Sequence, residues 1–187
     1  GPGWPLAALH LATLGTLLCS AIGASLQLLP VATRQPVRSH RLAGALGIAP
    51  NEVRAARLID CGTEQLLVEV CCREAVLNCR PDARLLDAYC RNRQGVAMAY
   101  VWHIEQGVAT VRLFFTHHGQ VVEDPGTGSA CANLGGWLQL AGKHPLTLRV
   151  EQGHALKRPN VLHLAVDAAG EITVAGEVIW LGQGVLH

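Results

Sequence analysis

From about residue 65 onward, short runs of β-branched and apolar residues, several of them alternating with polar ones, predict β-strands. These are QLLVEV (65–70), AMAYVWHI (97–104), ATVRLFF (109–115), LTLRVEQ (146–152), VLHLAVD (161–167), EITVAG (171–176) and EVIWLG (177–182). Glu105-Gln106-Gly107-Val108 is a hairpin-length gap with a glycine inside, and Ala168-Ala169-Gly170 is a short hairpin loop. The period changes after Pro81 and Asp82, which open an amphipathic helix. Leu85, Leu86, Tyr89 and Cys90 share one stripe of it, with Arg84, Asp87 and Arg91 opposite. A second helix, at about 129–141, carries Ala130, Cys131, Ala132, Leu134, Trp137 and Leu138, with Asn133 and Gln139 as its polar exceptions. A helix apolar on every side must be buried on every side, and a sheet wrapped around it would do that. Ser39 is placed to cap a short helix at 41–46, closed by Gly47. Six or seven strands and two principal helices thus fill about 40–187, joined mostly by hairpins, which predicts an α+β fold rather than a doubly wound one.

The other end has a different texture. Residues 4–29 are almost wholly apolar, and the first charged residue is Arg34. No basic residue precedes the run as in a signal peptide, and the chain does not open with Met. Gly15 and Gly23 interrupt it, together with His10, Thr13, Thr16, Ser20, Ser25 and Gln27. A buried helix at about 5–18 followed by a core strand at about 24–29 accounts for it, in preference to a membrane anchor. Residues 30–40, with two prolines, read as a linker or edge segment.

Composition narrows the classes. Half of the 187 residues are hydrophobic and 16% are charged. The mean hydropathy of +0.26 argues against disorder. Fifteen basic against fourteen acidic residues leave a net charge of +1, with no bulk footprint for nucleic acid or an anionic membrane. Seven cysteines, at 19, 61, 71, 72, 79, 90 and 131, form no CxxC pair and read as reduced thiols of a cytoplasmic protein. Cys71 and Cys72 would point to opposite faces if both lay in a strand. The nine histidines show no zinc spacing, so no metal is expected, and His117-His118 reads as an exposed turn.

Candidate chemistry concentrates in Glu123-Asp124-Pro125-Gly126-Thr127-Gly128-Ser129-Ala130. Pro125 and Gly126 end a strand, and Gly128 lets a backbone approach closely. The helix that follows would expose N–H groups from Thr127 to Ala130 at the mouth of a cavity, a setting suited to a carboxylate. Asp124 at the rim would serve acid–base chemistry, and Ser129 offers a hydroxyl. The same residues also suit a capping arrangement, with Asp124 or Thr127 as the cap. The loop is not a Walker sequence, because Lys143 is distant and followed by His144. It lacks the third glycine of a dinucleotide fingerprint, and no GxSxG elbow is present.

Read with its surroundings, this loop resembles the PhzF-like phenazine-biosynthesis family of the diaminopimelate-epimerase-like superfamily. That family carries an Arg-x-Phe strand, a Gly, and then Glu-Asp-Pro-Ala-Thr-Gly-Ser-Ala at a buried helix. Here these are Arg112-Leu113-Phe114, Gly119, and Glu123 through Ala130, with Gly126 in place of the usual Ala. Gln152-Gly153, Arg158-Pro159 and Ala175-Gly176 follow in the family's order, the last with Ala for its first Gly. Thr63 to Val68 stands at the family's Thr-Gly turn into a Leu-rich strand.

The resemblance implies two similar halves, each a curved sheet around a central buried helix, with the active site between the halves where the helix N-termini face each other. Residues 1–36 would be the remnant of a first such domain and residues 37–187 the second. It further implies a cofactor-independent isomerase or epimerase acting by proton transfer on a small carboxylate-bearing metabolite, with a biosynthetic role, in a cytoplasmic homodimer. Asp124 and Ser129 would be catalytic, and Gly126, Thr127, Gly128 and Ala130 substrate-binding. Related racemases place a thiol base where this chain has Pro125, so a two-cysteine mechanism is not expected in this half, and Cys131 reads as packing. The family's first-half Glu (in Ser-Glu-Thr) and His (in Gly-His-Pro) have no counterpart here; Gly3-Trp4-Pro5 carries Trp at the His position. The alternative is a non-catalytic truncated homologue, a small-carboxylate-binding or subunit-pairing module.

Overall fold

The computed structural model describes residues 37–178, so the apolar run at 4–29 and most of the strand expected at 177–182 lie outside the described residues. The chain divides into units of residues 1–37 and 38–187, and all the elements below belong to the second save Val37 itself. The described strands are β1 (Val53–Asp60), β2 (Glu64–Val70), β3 (Met98–Glu105), β4 (Val108–His117), β5 (Gln120–Asp124), β6 (Leu146–Gln152), β7 (Asn160–Val166) and β8 (Ile172–Gly176). The helices are α1 (Val37–Leu46), α2 (Arg73–Leu77), α3 (Ala83–Tyr89) and α4 (Gly128–Leu140).

All eight strands form one sheet in the order β1-β2-β3-β4-β6-β7-β8, with β5 also on β4. Pairings are antiparallel except β2–β3 and β4–β6. β5 and β6 share one edge of β4 end to end. Asp124, the last residue of β5, pairs with Leu113, while Glu151, next to last in β6, pairs with Thr110. Two strand C-termini therefore converge on Val111 and Arg112. This convergence positions the site.

Alternation along each strand divides the side chains between two cores. On the inner face Leu67, Tyr100, Trp102, Val111 and Leu113 pack with Leu134 and Trp137 of α4. On the outer face Val68, Val101 and Phe114 pack with Leu46 of α1, Val76 of α2 and Leu86 of α3. Strands near both ends of the sheet touch α4 at its double glycine. A methyl on Gly135 would meet Ile172 and Leu164, of β8 and β7, at 2.8 and 3.0 Å. One on Gly136 would meet Cys61 and Ile59, beyond and within β1, at 2.6 and 3.4 Å. The expected curved sheet around a buried helix is what the chain forms.

Several local expectations need correction. β1, β5 and α2 are additional elements. The edge strand β1 is mostly exposed or half-buried and includes two arginines, which obscured its alternation. α1 begins at Val37, so Ser39 lies within it; Gly47, in the left-handed region at φ +67°, does end it. On α3 only Leu86 and Cys90 of the expected stripe are buried, whereas Leu85 and Tyr89 are exposed, and Asp82 caps its N-terminus by accepting from the N–H groups of Arg84 and Leu85. β2 ends at Val70, so Cys71 and Cys72 lie in the turn beyond it, and their sulfurs come together 3.5 Å apart. Of the expected exposed turn only His118 is part, at φ +49°; His117 is exposed too but is the last residue of β4, paired with Gln120. Among the described residues no helix is long and apolar enough to cross a membrane.

Candidate active site

Adjacent acids at the end of β5 point to opposite faces of the sheet. Glu123 faces outward, where its carboxylate accepts from Arg112 Nε and Nη2 at 2.9 and 2.7 Å, both side chains being more than nine-tenths buried. The third guanidinium nitrogen donates to the carbonyls of Val76, Leu77 and Cys79. Arg112 and Glu123 of the motif thus bind strands to outer helices. Asp124 faces the other way, half-buried, at the entrance to α4.

A fully buried amide holds Asp124 there. Gln152 Oε1 accepts the Thr127 N–H at 3.1 Å, which fixes the orientation of the amide. Its Nε2 therefore donates, to the Asp124 carbonyl at 2.8 Å and to Thr127 Oγ1 at 3.0 Å. With that oxygen already accepting, the Thr127 hydroxyl proton goes to Asp124 Oδ2 at 2.6 Å. Thr127 occupies the cap position of α4 but makes no side-chain cap bond, so neither it nor Asp124 serves as a conventional helix cap. Gly153 follows in the left-handed region at φ +81°, and any Cβ there would press on the carbonyls of Arg158 and Pro125. Only glycine lets this turn lie against the site loop.

A second relay sets Ser129. The Cys61 N–H donates to Asn133 Oδ1 at 2.7 Å, so Asn133 Nδ2 must donate, to the Thr63 carbonyl and to Gln65 Oε1, both at 2.8 Å. Gln65 Nε2 is thereby left to donate to Ser129 Oγ at 3.2 Å. The serine oxygen accepts from within the protein, and its own proton is available to an acceptor outside. Asn133 and Gln65 are buried, whereas Ser129 is exposed.

Between these relays the first turn of α4 lies open. Gly128 is exposed, and nothing stands within 4 Å of where a Cβ would project. The earliest α4 N–H with an intrachain acceptor of the helical type is that of Cys131, which donates to the Thr127 carbonyl at 3.0 Å. Among the described residues none accepts the N–H of Gly128 or Ser129. These donors and the positive end of the helix dipole suit an anion. Gly126 lies against Asn160, whose Cγ would be 2.8 Å from an added Cβ, so the usual Ala requires that exposed side chain to move. The Ala130 side chain is buried, leaving its backbone as the part that faces the turn. Burial pushes the Cys131 thiol up to about 12, in keeping with a packing role. No group of three or more His, Cys, Asp or Glu side chains converges on a metal position among the described residues.

The structure thus brings Asp124, Thr127, Gly128 and Ser129 to one helix entrance. Sequence reasoning reached Gln152 only through the resemblance, noted Asn133 only as a polar exception, and assigned Gln65 no role. A glutamine directly before the apolar run Leu66-Leu67-Val68 of β2 was the available signal for Gln65.

Comparison with known proteins agrees with this architecture. The family described as phenazine biosynthesis-like protein matches residues 22–184. An uncharacterized isomerase of Pasteurella multocida (strain Pm70) is 40% identical over 141 residues, which cover 75% of this chain and 47% of that protein. A solved structure described as a predicted epimerase from Pseudomonas aeruginosa superposes with a TM-score of 0.59 at 24% identity, covering 76% of this chain and 49% of its own. A Bacillus anthracis phenazine biosynthesis protein of the PhzF family gives a TM-score of 0.58 at 17% identity, over 73% of this chain and 50% of its own. The chain thus spans about half the length of these relatives.

Proposed function

The chain belongs to the phenazine biosynthesis-like protein family, and from that premise we propose that it supplies the second half of a cofactor-independent isomerase or epimerase. Its substrate is a small carboxylate-bearing metabolite, and the reaction moves a proton at carbon. The observation that carries this reading is the pair of backbone-anchored amide relays that orient Asp124 and Ser129 on either side of an open helix N-terminus.

In this reading the substrate carboxylate accepts from the N–H groups of Gly128 and Ser129 and from the Ser129 hydroxyl, whose proton Gln65 leaves free. The loop Gly126–Thr127 and the backbone of Ala130 shape the remainder of that seat. Thr127 holds one oxygen of Asp124, and the other takes up or returns a proton as the substrate carbon changes state. Charge that develops on the substrate oxygens meets donors already in place, so little reorganisation accompanies the step. The complete protein is further proposed to act in biosynthesis, as a cytoplasmic homodimer.

The test uses the complete protein and a panel of small chiral carboxylic acids in deuterated water, with incorporation of deuterium at carbon followed by NMR. Asp124→Asn and Ser129→Ala are each expected to lower turnover by about 10²-fold or more. Unchanged turnover in both variants would remove these assignments. If the wild-type protein exchanges nothing but melts higher with a carboxylic acid present, the chain is a binding module.

A further inference from the structure

The Cys71–Cys72 pair lies away from the helix entrance and takes no part in the proposed reaction. Both residues are half-buried, neither is bonded to another cysteine, and their sulfurs are 3.5 Å apart. The turn that brings them together is pinned by backbone contacts. The Cys71 N–H donates to the Glu52 carbonyl at 2.8 Å, and the Arg54 guanidinium donates to the Cys71 carbonyl at 3.4 Å. Cys72 occupies the N-cap position of α2. The other described thiols make no such pair: Cys79, Cys90 and Cys131 are buried, and Cys61 is exposed.

We propose that Cys71 and Cys72 form a dithiol binding site for a trivalent arsenical, which bridges the two sulfurs. A disulfide requires its sulfurs about 2.05 Å apart, much closer than this turn holds them. Pyramidal trivalent arsenic bonds two thiolates at a little more than a right angle and keeps them near van der Waals contact, as they already stand. Burial, and then the neighbouring Cys72 thiol, push the Cys71 thiol above its ordinary range, which favours its protonated form. Alkylating agents, which need a thiolate, are therefore disfavoured at Cys71. An organic arsenoxide instead condenses with both thiols. The arsenic–oxygen double bond and two S–H bonds break, two arsenic–sulfur bonds form, and the oxygen leaves with the two thiol protons as water. Arsenic remains trivalent and no oxidant is needed.

The experiment treats the folded full chain with phenylarsine oxide and measures its intact mass. One phenylarsine adduct per chain is expected, resistant to 2-mercaptoethanol and removed by 2,3-dimercaptopropanol. Peptide mapping of the adduct should place the phenylarsine on the peptide that carries both Cys71 and Cys72. Cys71→Ser and Cys72→Ser should each abolish the monothiol-resistant adduct; serine is a favourable N-cap residue, so the second change keeps the start of α2. Persistence of the adduct in both variants would overturn the proposal. So would a wild-type chain, folded by circular dichroism, that takes up no arsenical, or an adduct that maps to Cys61.

Discussion

Glu123 and Asp124 are neighbours in sequence with unrelated tasks, because a strand sends successive side chains to opposite faces. What makes Asp124 available is the uncharged residue opposite it. Gln152 satisfies the buried Thr127 N–H and the half-buried Asp124 carbonyl at once, and at neutral pH a primary amide offers the acceptor and the donor at that spacing without charge. Gln152→Leu leaves both backbone groups without partners, and a loss of about 1–3 kcal/mol in unfolding free energy is expected by urea titration. Gln152→Glu retains the acceptor but turns a carboxylate toward the Asp124 carbonyl when ionised. Its folded pKa is therefore raised. The stabilising protonated form is fully present below the ordinary glutamate value of about 4.3, and stability is lost as pH rises through the higher folded value. Thermal melts of this variant between pH 4 and 8 should show its deficit relative to wild type widening with pH.

At the scale of elements, α4 is held by the closeness of the sheet. Its mid-helix glycines are poor helix formers, yet a methyl at Gly135 would overlap Ile172 and Leu164. Gly135→Ala gains about 1 kcal/mol in helix propensity and loses about 1–3 kcal/mol to overpacking. A net destabilisation is expected, measurable as a lower urea midpoint. Gly128→Ala projects into open space and should leave stability within about 0.5 kcal/mol of wild type.

At the largest scale, the described residues build cores on both faces of one sheet, and Arg112 ties the outer one together. It reaches from β4 to Glu123 on β5 and to three carbonyls at 76, 77 and 79. Removing one member of a buried ion pair strands the other charge, so Arg112→Met should cost about 3–5 kcal/mol. Arg112→Met with Glu123→Leu removes both charges and should recover much of that loss in calorimetry. If the double variant is no more stable than the single one, the Arg112 bonds to the carbonyls outweigh the ion pair.

Much of this was determined by the sequence alone. Runs of apolar residues marked the central strands, because these are buried on both faces and successive side chains enter different cores. The helix at 128–140 had to be buried because it has almost no polar face, and the octapeptide 123–130 marked the entrance to it. The tertiary structure decided what holds that entrance. Gln65 lies 64 residues from Ser129, and Gln152 lies 25 from Thr127. Only the convergence of β5 and β6 on β4, and the close approach of β1 and β2 to α4, brings these amides to their partners. It also decided the fate of Cys71 and Cys72, which a continued strand would have separated and the turn after Val70 joins. Periodicity reports which face a residue occupies, whereas a hydrogen bond between distant residues depends on which strands the fold makes neighbours.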